Sequence, residues 1–143
     1  MARIAIHGFG RIGRSLMKAA LKKDLFTPVS ISDIKDIPTL AALFEVDTNY
    51  GRWPEEVVAL ENGFVIGGRE IAYFDSMKAL PDWEELGVDL VIDCTGRATT
   101  RAGAQAHLDA GAKRVLVSAP SKTLNDCDAV LLPGINLDQF DPG

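Results

Sequence analysis

A cluster of three glycines, Gly8, Gly10 and Gly13, constrains the fold of this chain more than any other feature. The cluster follows a short apolar run typical of a β-strand, over residues 2–7, and precedes a stretch with helical periodicity. In such a G-x-G-x-x-G pattern the first glycine makes a tight turn, the second lets a pyrophosphate approach the backbone, and the third lets the helix pack closely on the strand. The pattern in this context predicts a dinucleotide site at the start of a helix. A strand–helix turn without a ligand is the alternative.

A carboxylate at the end of the next predicted strand, residues 29–33, adds to this interpretation. Asp33 follows Gly13 by 20 residues. At this place a carboxylate can accept hydrogen bonds from ribose hydroxyls and repels a 2′-phosphate, so it favours NAD over NADP. The alternative is an aspartate that only caps the turn after the strand.

The remaining pattern predicts one α/β domain over residues 1–143. Further helices are predicted from about residue 36 to 44 and from 99 to 110, and further strands over 88–94, 113–118 and 129–132. Three short β-prone runs, 57–60, 64–66 and 71–74, are separated by Asn-Gly and Gly-Gly and predict a small antiparallel meander. The alternation predicts a doubly wound, mostly parallel sheet of the Rossmann type with the meander inserted.

The first helix and the later strand ends yield more specific predictions. In the helix, Ile12, Leu16, Ala19 and Ala20 are expected to face the core, and Arg14 to face away. In open α/β sheets ligands bind outside the carboxyl ends of the strands. Thr95 and Gly96 follow one strand and Ser118 ends another, so these residues are candidates for the nicotinamide half of a pocket. A purely structural role in the turns that end these strands explains the residues equally well.

Composition excludes several other classes of protein. The formal net charge is −5, which argues against a nucleic-acid partner. The two cysteines, Cys94 and Cys127, have neither zinc-ligand nor disulfide spacing, so no metal site is expected and neither resembles a nucleophile. No signal peptide or membrane-spanning run is visible, so no membrane partner and a cytoplasmic location are expected. His7 is expected to be packed or hydrogen-bonded, and His107 to be a partly exposed helix residue.

Residues 6–14, Ile-His-Gly-Phe-Gly-Arg-Ile-Gly-Arg, resemble the opening of phosphorylating glyceraldehyde-3-phosphate dehydrogenases, whose usual form has Asn in place of His7. The resemblance continues in order at residues 46–52, 86–96, 106–115, 117–120 and 133–136. It implies that the backbone of Arg11 and Ile12 holds the NAD pyrophosphate and that Asp33 binds the adenine ribose. It also implies that Thr95 and Gly96 lie against the cofactor, with Ser118 near the nicotinamide. Ser32 departs from the family pattern, which has Asn there.

The same resemblance implies how the chain is organised. In that family the catalytic cysteine and histidine lie beyond the part represented by this sequence, in a substrate domain that is absent here. The chain is then expected to be the NAD-binding domain of a homotetrameric glycolytic oxidoreductase, able to bind NAD but not to catalyse. The intact enzyme oxidises a sugar-phosphate aldehyde through a cysteine thioester and passes hydride to NAD. The alternatives are the matching domain of an erythrose-4-phosphate dehydrogenase and a non-catalytic nucleotide-binding module.

Overall fold

The computed structural model describes residues 2–141, so the two ends of the predicted domain, residue 1 and residues 142–143, lie outside the described part. The elements, in chain order, are β1 (Ile4–His7), α1 (Arg11–Lys22), β2 (Ser30–Asp33), α2 (Ile37–Glu45), β3 (Val46–Asp47), β4 (Gly51–Arg52), β5 (Val57–Ala59), β6 (Gly63–Ile66), β7 (Arg69–Asp75), β8 (Leu90–Asp93), α3 (Arg101–Asp109) and β9 (Arg114–Val117). Two short 3₁₀ turns follow, Leu124–Asp126 and Leu137–Gln139. None of the described helices is long and apolar enough to cross a membrane.

One sheet of seven strands has the order β5-β6-β7-β2-β1-β8-β9. The strands from β7 to β9 in this order are parallel to their neighbours, and β5 and β6 join beside β7 as antiparallel strands. This confirms the predicted doubly wound, mostly parallel fold with an antiparallel meander. The meander continues the main sheet, because its third strand, β7, pairs in parallel with β2. The separate two-stranded sheet pairs β3 with β4.

The two faces of the sheet carry different helices. In β1 the side chain of Ile6 packs into a cluster with Met17 of α1 and Phe44 of α2, whereas Ala5 packs into a second cluster with Trp83. Helix α3 belongs to this second face, since its His107 contacts Trp83. The helix that follows β1 therefore packs on one face of the sheet, and the helix that follows β8 packs on the other. The sheet changes its winding direction between these two adjacent strands.

The buried face of α1 is rotated by about one residue from the predicted one. Ala20 is buried and Leu16 packs partly against the core, as predicted, whereas the predictions for Ile12, Ala19 and Arg14 were wrong. Ile12 is 57 % exposed, and Arg14 is buried, with its guanidinium donating to the carbonyl of Phe9 at 2.9 Å. The rotation follows from Gly13, which packs so closely that a Cβ there would lie 2.2 Å from the carbonyl oxygen of Gly8. The buried residues of the helix are Gly13, Arg14, Met17, Ala20 and Leu21.

The prediction of a strand over residues 129–132 was also wrong, since these residues form no strand. The side chain of Asn136 occupies the backbone groups that a neighbouring strand would need. Its amide donates to the carbonyl of Val130 at 2.8 Å, and its oxygen accepts from the N–H of Leu132 at 2.7 Å. Hydrogen bonds from a nearby side chain thus replace those to a neighbouring strand, which the apolar run alone suggested.

Candidate functional site

A cavity of about 450 Å³ lies at the carboxyl ends of β1, β2 and β8. Its position is the crevice beside the change of winding direction, where open α/β sheets bind ligands. Four of the residues predicted to bind the cofactor line it: Gly8, Gly10, Asp33 and Thr95. The structure therefore brings the glycine turn, the carboxylate and the later strand end to one place.

The three glycines of the turn meet different surroundings. Gly8 has a φ of +89°, and a Cβ there would lie 2.8 Å from the backbone nitrogen of Thr95. Gly13 is closed off by the carbonyl of Gly8, so both of these glycines are required by the fold. A Cβ on Gly10 would meet no other part of the described chain within 4 Å, apart from its sequence neighbours, and Gly10 lines the cavity.

The start of α1 lies directly at this free space. Gly10 is the N-cap residue, no side chain caps the helix, and its first turn contains no acidic residue. The first N–H groups of a helix have no partner within the helix, and the helix dipole adds partial positive charge there. This end of α1 can therefore receive an anionic group of a ligand through its backbone.

The carboxylate of Asp33 joins the glycine turn to β2. Its Oδ2 accepts a hydrogen bond from the N–H of Phe9 at 2.6 Å, and its Oδ1 accepts from Ile34 and Lys35 at 2.8 and 3.0 Å. Asp33 therefore does cap the turn after its strand. A carboxylate offers about four acceptor sites, so these three bonds leave acceptor capacity for a ligand hydroxyl.

Tyr73 supports the loop that follows Asp33. Its hydroxyl, on the neighbouring strand β7, contacts the carbonyl of Asp33 at 2.9 Å and also the carbonyl of Lys35. Burial, together with the charges of Asp33 and Asp75, raises the pKa of Tyr73 to about 12. The phenol thus keeps its proton at neutral pH and acts as the donor.

His7 is a buried, hydrogen-bonded imidazole, as the sequence predicted. Its Nδ1 lies 2.7 Å from the hydroxyl of Ser32, and its ring meets that of His107 edge-on at 4.8 Å. Burial and then the neighbouring His107 lower the pKa of His7, against the opposing effect of Asp93 and Asp33. His7 therefore favours its neutral form in the folded protein.

His107 is only 2 % exposed, so the prediction of a partly exposed residue was wrong. Its Nε2 lies 3.0 Å from Oδ2 of Asp93, and the indole N–H of Trp83 donates to its Nδ1 at 3.2 Å. The periodicity of a short helix with many alanines did not reveal this burial. A charged residue ending an apolar strand, Asp93, was the available signal for a buried polar partner.

Asp93 is buried, and three hydrogen bonds reach its carboxylate, one of them from His107. Its Oδ1 accepts from the N–H of Thr95 at 2.8 Å and from the Thr95 hydroxyl at 2.7 Å. Burial works to raise the pKa of Asp93, but the hydrogen bonds from His107 and Thr95 outweigh it and hold the pKa below its usual value. The carboxylate therefore stays ionised inside the protein.

The side chains of His7, Asp93 and His107 offer possible metal-ligand atoms within 4.8 Å of one another. An indole nitrogen can only donate, so Nδ1 of His107 has to accept and the ring proton has to be on Nε2. A metal ligand needs a free lone pair, whereas this Nε2 is a donor to Asp93. The contacts consequently fit a hydrogen-bond network better than a metal centre.

Comparison with known proteins decides the family. Residues 2–101 match the family described as "Glyceraldehyde 3-phosphate dehydrogenase, NAD binding domain". The chain belongs to this family. It is 46 % identical, over 99 % of its length, to the glyceraldehyde-3-phosphate dehydrogenase of Kitasatospora aureofaciens, and 43 % identical, over 98 %, to that of Geobacillus stearothermophilus. The chain spans 42 % and 41 % of the length of these two relatives.

Several residues implied by the glyceraldehyde-3-phosphate dehydrogenase pattern lie beside the cavity rather than in its lining. Arg11 and Ile12 are exposed at the start of α1, and their side chains line a second cavity of about 430 Å³. Gly96 is exposed in the turn after β8. Ser118, just after β9, forms a hydrogen bond with the thiol of Cys94, which does line the first cavity; burial raises the pKa of this thiol.

Proposed function

We propose that this chain binds NAD in the 450 Å³ cavity as the cofactor domain of a phosphorylating glyceraldehyde-3-phosphate dehydrogenase. The observation that carries the proposal is the free space at Gly10, where an uncapped helix start and the carboxylate of Asp33 line one cavity. A dinucleotide needs these three features together: backbone donors for its pyrophosphate, room to reach them, and an acceptor for its ribose.

Each residue would then have a distinct role in holding NAD. The backbone N–H groups of Arg11 and Ile12 would bind the pyrophosphate, which approaches through the space beside Gly10. Asp33 would accept a hydrogen bond from the adenine ribose with its remaining acceptor site. The residues from the later strand ends, Thr95, Gly96 and Ser118, would lie toward the nicotinamide half.

A preference for NAD over NADP follows from the charge of Asp33, which would repel a 2′-phosphate. Lys35 opposes this preference, because it lines the same cavity two residues further on and could attract that phosphate. We expect Asp33 to dominate, since its carboxylate is fixed by three backbone N–H groups, whereas the Lys35 side chain is exposed.

The intact protein would be a cytoplasmic homotetramer acting on a sugar-phosphate aldehyde, with bound NAD supplying the hydride acceptor. A substrate domain would carry the catalytic cysteine and histidine. The relatives are more than twice as long as this chain, which supports the presence of a further domain in the intact protein. A surface for that domain to cover is available, since large apolar side chains are exposed along residues 116–140. These are Leu116, Leu124, Val130, Leu132, Ile135, Leu137 and Phe140.

The test is a calorimetric titration of the purified chain with NAD and, separately, with NADP. We expect NAD to bind, NADP to bind at least tenfold more weakly, and Asp33→Asn to weaken NAD binding while reducing the difference between the two. The matched control is Asp75→Asn. Asp75 occupies the paired position on β7, is exposed and does not line the cavity.

Thermal unfolding of both variants separates lost binding from lost structure, because Asp33 also holds the glycine turn. Absence of binding by either cofactor at millimolar concentration, in a folded chain, would overturn the proposal that this domain binds NAD. Tighter binding of NADP than of NAD would overturn the role of Asp33 and assign the choice of cofactor to Lys35.

A further inference from the structure

We propose that Trp83, His107 and Asp93 are positioning residues that fix the turn of residues 95–97 as one wall of the cavity, by setting the tautomer of His107. The proposal rests on the proposed function only in that NAD is taken as the ligand. The three side chains are 0 %, 2 % and 1 % exposed, so water cannot substitute for the partners they have.

The first step is the tautomer of His107. The indole N–H of Trp83 points at Nδ1, and an indole nitrogen has no lone pair to offer. Nδ1 therefore accepts, and the single proton of the neutral ring is on Nε2, where it faces Oδ2 of Asp93 at 3.0 Å. A doubly protonated ring would set one N–H against another at Trp83.

The second step concerns the hydrogen-bond partners of the two carboxylate oxygens of Asp93. With Oδ2 occupied by His107, Oδ1 receives both donors of Thr95, its N–H and its hydroxyl. The hydroxyl oxygen of Thr95 in turn accepts from the N–H of Arg97 at 3.1 Å. The donors thus converge on Asp93 from two sides, from Trp83 through His107 and from Arg97 through Thr95, and Thr95 is left in one orientation.

The third step connects this turn to the cavity. Thr95 packs on the glycine turn, since a Cβ on Gly8 would lie 2.8 Å from both its nitrogen and its Cγ2. Thr95 and Arg97 line the same cavity as Gly10. A change in the Asp93 hydrogen bonds would therefore move the wall that faces the proposed cofactor.

The direction of the donors makes Asp93→Asn an informative substitution. If the Asn oxygen keeps the two donors of Thr95, its NH₂ group faces Nε2 of His107, which must then give up its proton. The ring proton would have to move to Nδ1, where it meets the indole N–H of Trp83. If the amide is turned over instead, its NH₂ group meets the N–H of Thr95. Neither orientation satisfies all partners.

Removing the indole donor relieves this conflict. In the double variant Trp83→Phe with Asp93→Asn, His107 can carry its proton on Nδ1 and accept from the Asn amide through Nε2. Trp83→Phe should therefore weaken NAD binding when introduced alone, but should strengthen it when introduced into the Asp93→Asn variant. A merely structural role for Trp83 would make the two losses add instead.

The experiment measures NAD binding and the ring ¹⁵N chemical shifts of His107 in the four proteins of this cycle. We expect Asp93→Asn to weaken binding about tenfold, Trp83→Phe alone about threefold, and the double variant to return to within about threefold of the unsubstituted chain. Trp53→Phe is the matched control, because the buried indole N–H of Trp53 has no hydrogen-bond partner among the residues that the structure describes. It should leave binding unchanged.

The ring spectra test the proposal without any ligand. A proton on Nε2 in the unsubstituted chain and on Nδ1 in the double variant supports it. A proton on Nδ1 in the unsubstituted chain, or additive losses in the cycle, overturns it. If Asp93→Asn does not fold, folding of the double variant shows the same recovery. If neither variant folds, the ring ¹⁵N spectrum of His107 in the unsubstituted chain decides. Absence of NAD binding in every protein contradicts the proposed function alone.

Discussion

Gly10 offers a substitution that should separate binding from folding. Its backbone has φ of −73° and ψ of −158°, which any L-residue can adopt. Within residues 2–141, no atom outside Gly10 and its two sequence neighbours lies within 4 Å of the position that a Cβ would occupy. Gly10→Ala therefore adds a methyl group to the cavity without disturbing the protein around it.

The expected change in stability is close to zero, because two small effects oppose each other. Replacing glycine by alanine at a compatible backbone position stabilises by about 0.4–1 kcal/mol, through the unfolded chain. Alanine is a poorer N-cap than glycine, which costs on the order of 1 kcal/mol. The melting temperature of Gly10→Ala should thus stay within about 2 °C of the original.

Binding should respond in the opposite way. The added methyl group occupies the space through which the pyrophosphate would reach the first N–H groups of α1. A group held even slightly away from these donors loses its hydrogen bonds, and we expect NAD affinity to fall by about tenfold or more.

Gly13→Ala is the contrasting variant, since its Cβ would lie 2.2 Å from the backbone oxygen of Gly8. Alanine gains about 1 kcal/mol in helix propensity, but a clash with backbone costs about 3 kcal/mol or more. The net loss of about 2 kcal/mol should lower the melting temperature by about 7 °C.

Calorimetry for NAD and circular dichroism melting of both variants provide the assay. Normal binding by Gly10→Ala would refute the reasoning, because the ligand would then not pass close to Gly10. A large loss of stability in Gly10→Ala would refute it differently, by showing that the space beside this residue is occupied in the folded protein.

Two further substitutions test the groups around the cavity. Since burial lowers the pKa of His7 from 6.5, the unfolded chain takes up this proton first, and the free energy of unfolding should fall as pH drops from about 6.5 toward the folded pKa, by up to about 1.4 kcal/mol per pH unit. His7→Asn should remove this part of the slope in urea titrations at several pH values; an unchanged slope would show that other groups cause it. Tyr73→Phe should lower the free energy of unfolding by about 1 kcal/mol, because the carbonyls of Asp33 and Lys35 lose their donor. An ultraviolet titration in which both tyrosines ionise well below pH 12 would contradict the placement of this hydroxyl.

The sheet could be predicted from the sequence because its signals are local. The Asn-Gly and Gly-Gly turns of the meander lie between β-prone runs, and the glycine turn after β1 defines a strand, a helix start and the following crossover at once. The place of the cavity followed from the fold rule, since Gly8, Asp33 and Thr95 all stand at carboxyl ends of strands.

The remaining features depend on partners that are distant in the sequence. The buried face of α1 is set by contact of Gly13 with a backbone oxygen, which shifts an otherwise valid periodicity by one residue. His107 is buried because its ring fits between Trp83 and Asp93, 24 and 14 residues away. Residues 129–132 have the composition of a strand, yet one asparagine side chain takes up two of their backbone groups, the carbonyl of Val130 and the N–H of Leu132. Hydrophobic pattern carries no information on any of these three contacts.

Asp33 shows why two interpretations of one residue need not compete. From the sequence it was either a cap for the turn or a ligand for a ribose. In the structure three backbone N–H groups use three of its acceptor sites, and that same capping fixes the carboxylate at the cavity. Preorganisation of this kind lowers the cost of binding, because the acceptor is already ordered. A loss of affinity in Asp33→Asn would therefore measure the proposed ribose contact only if the variant keeps the melting temperature of the unsubstituted chain.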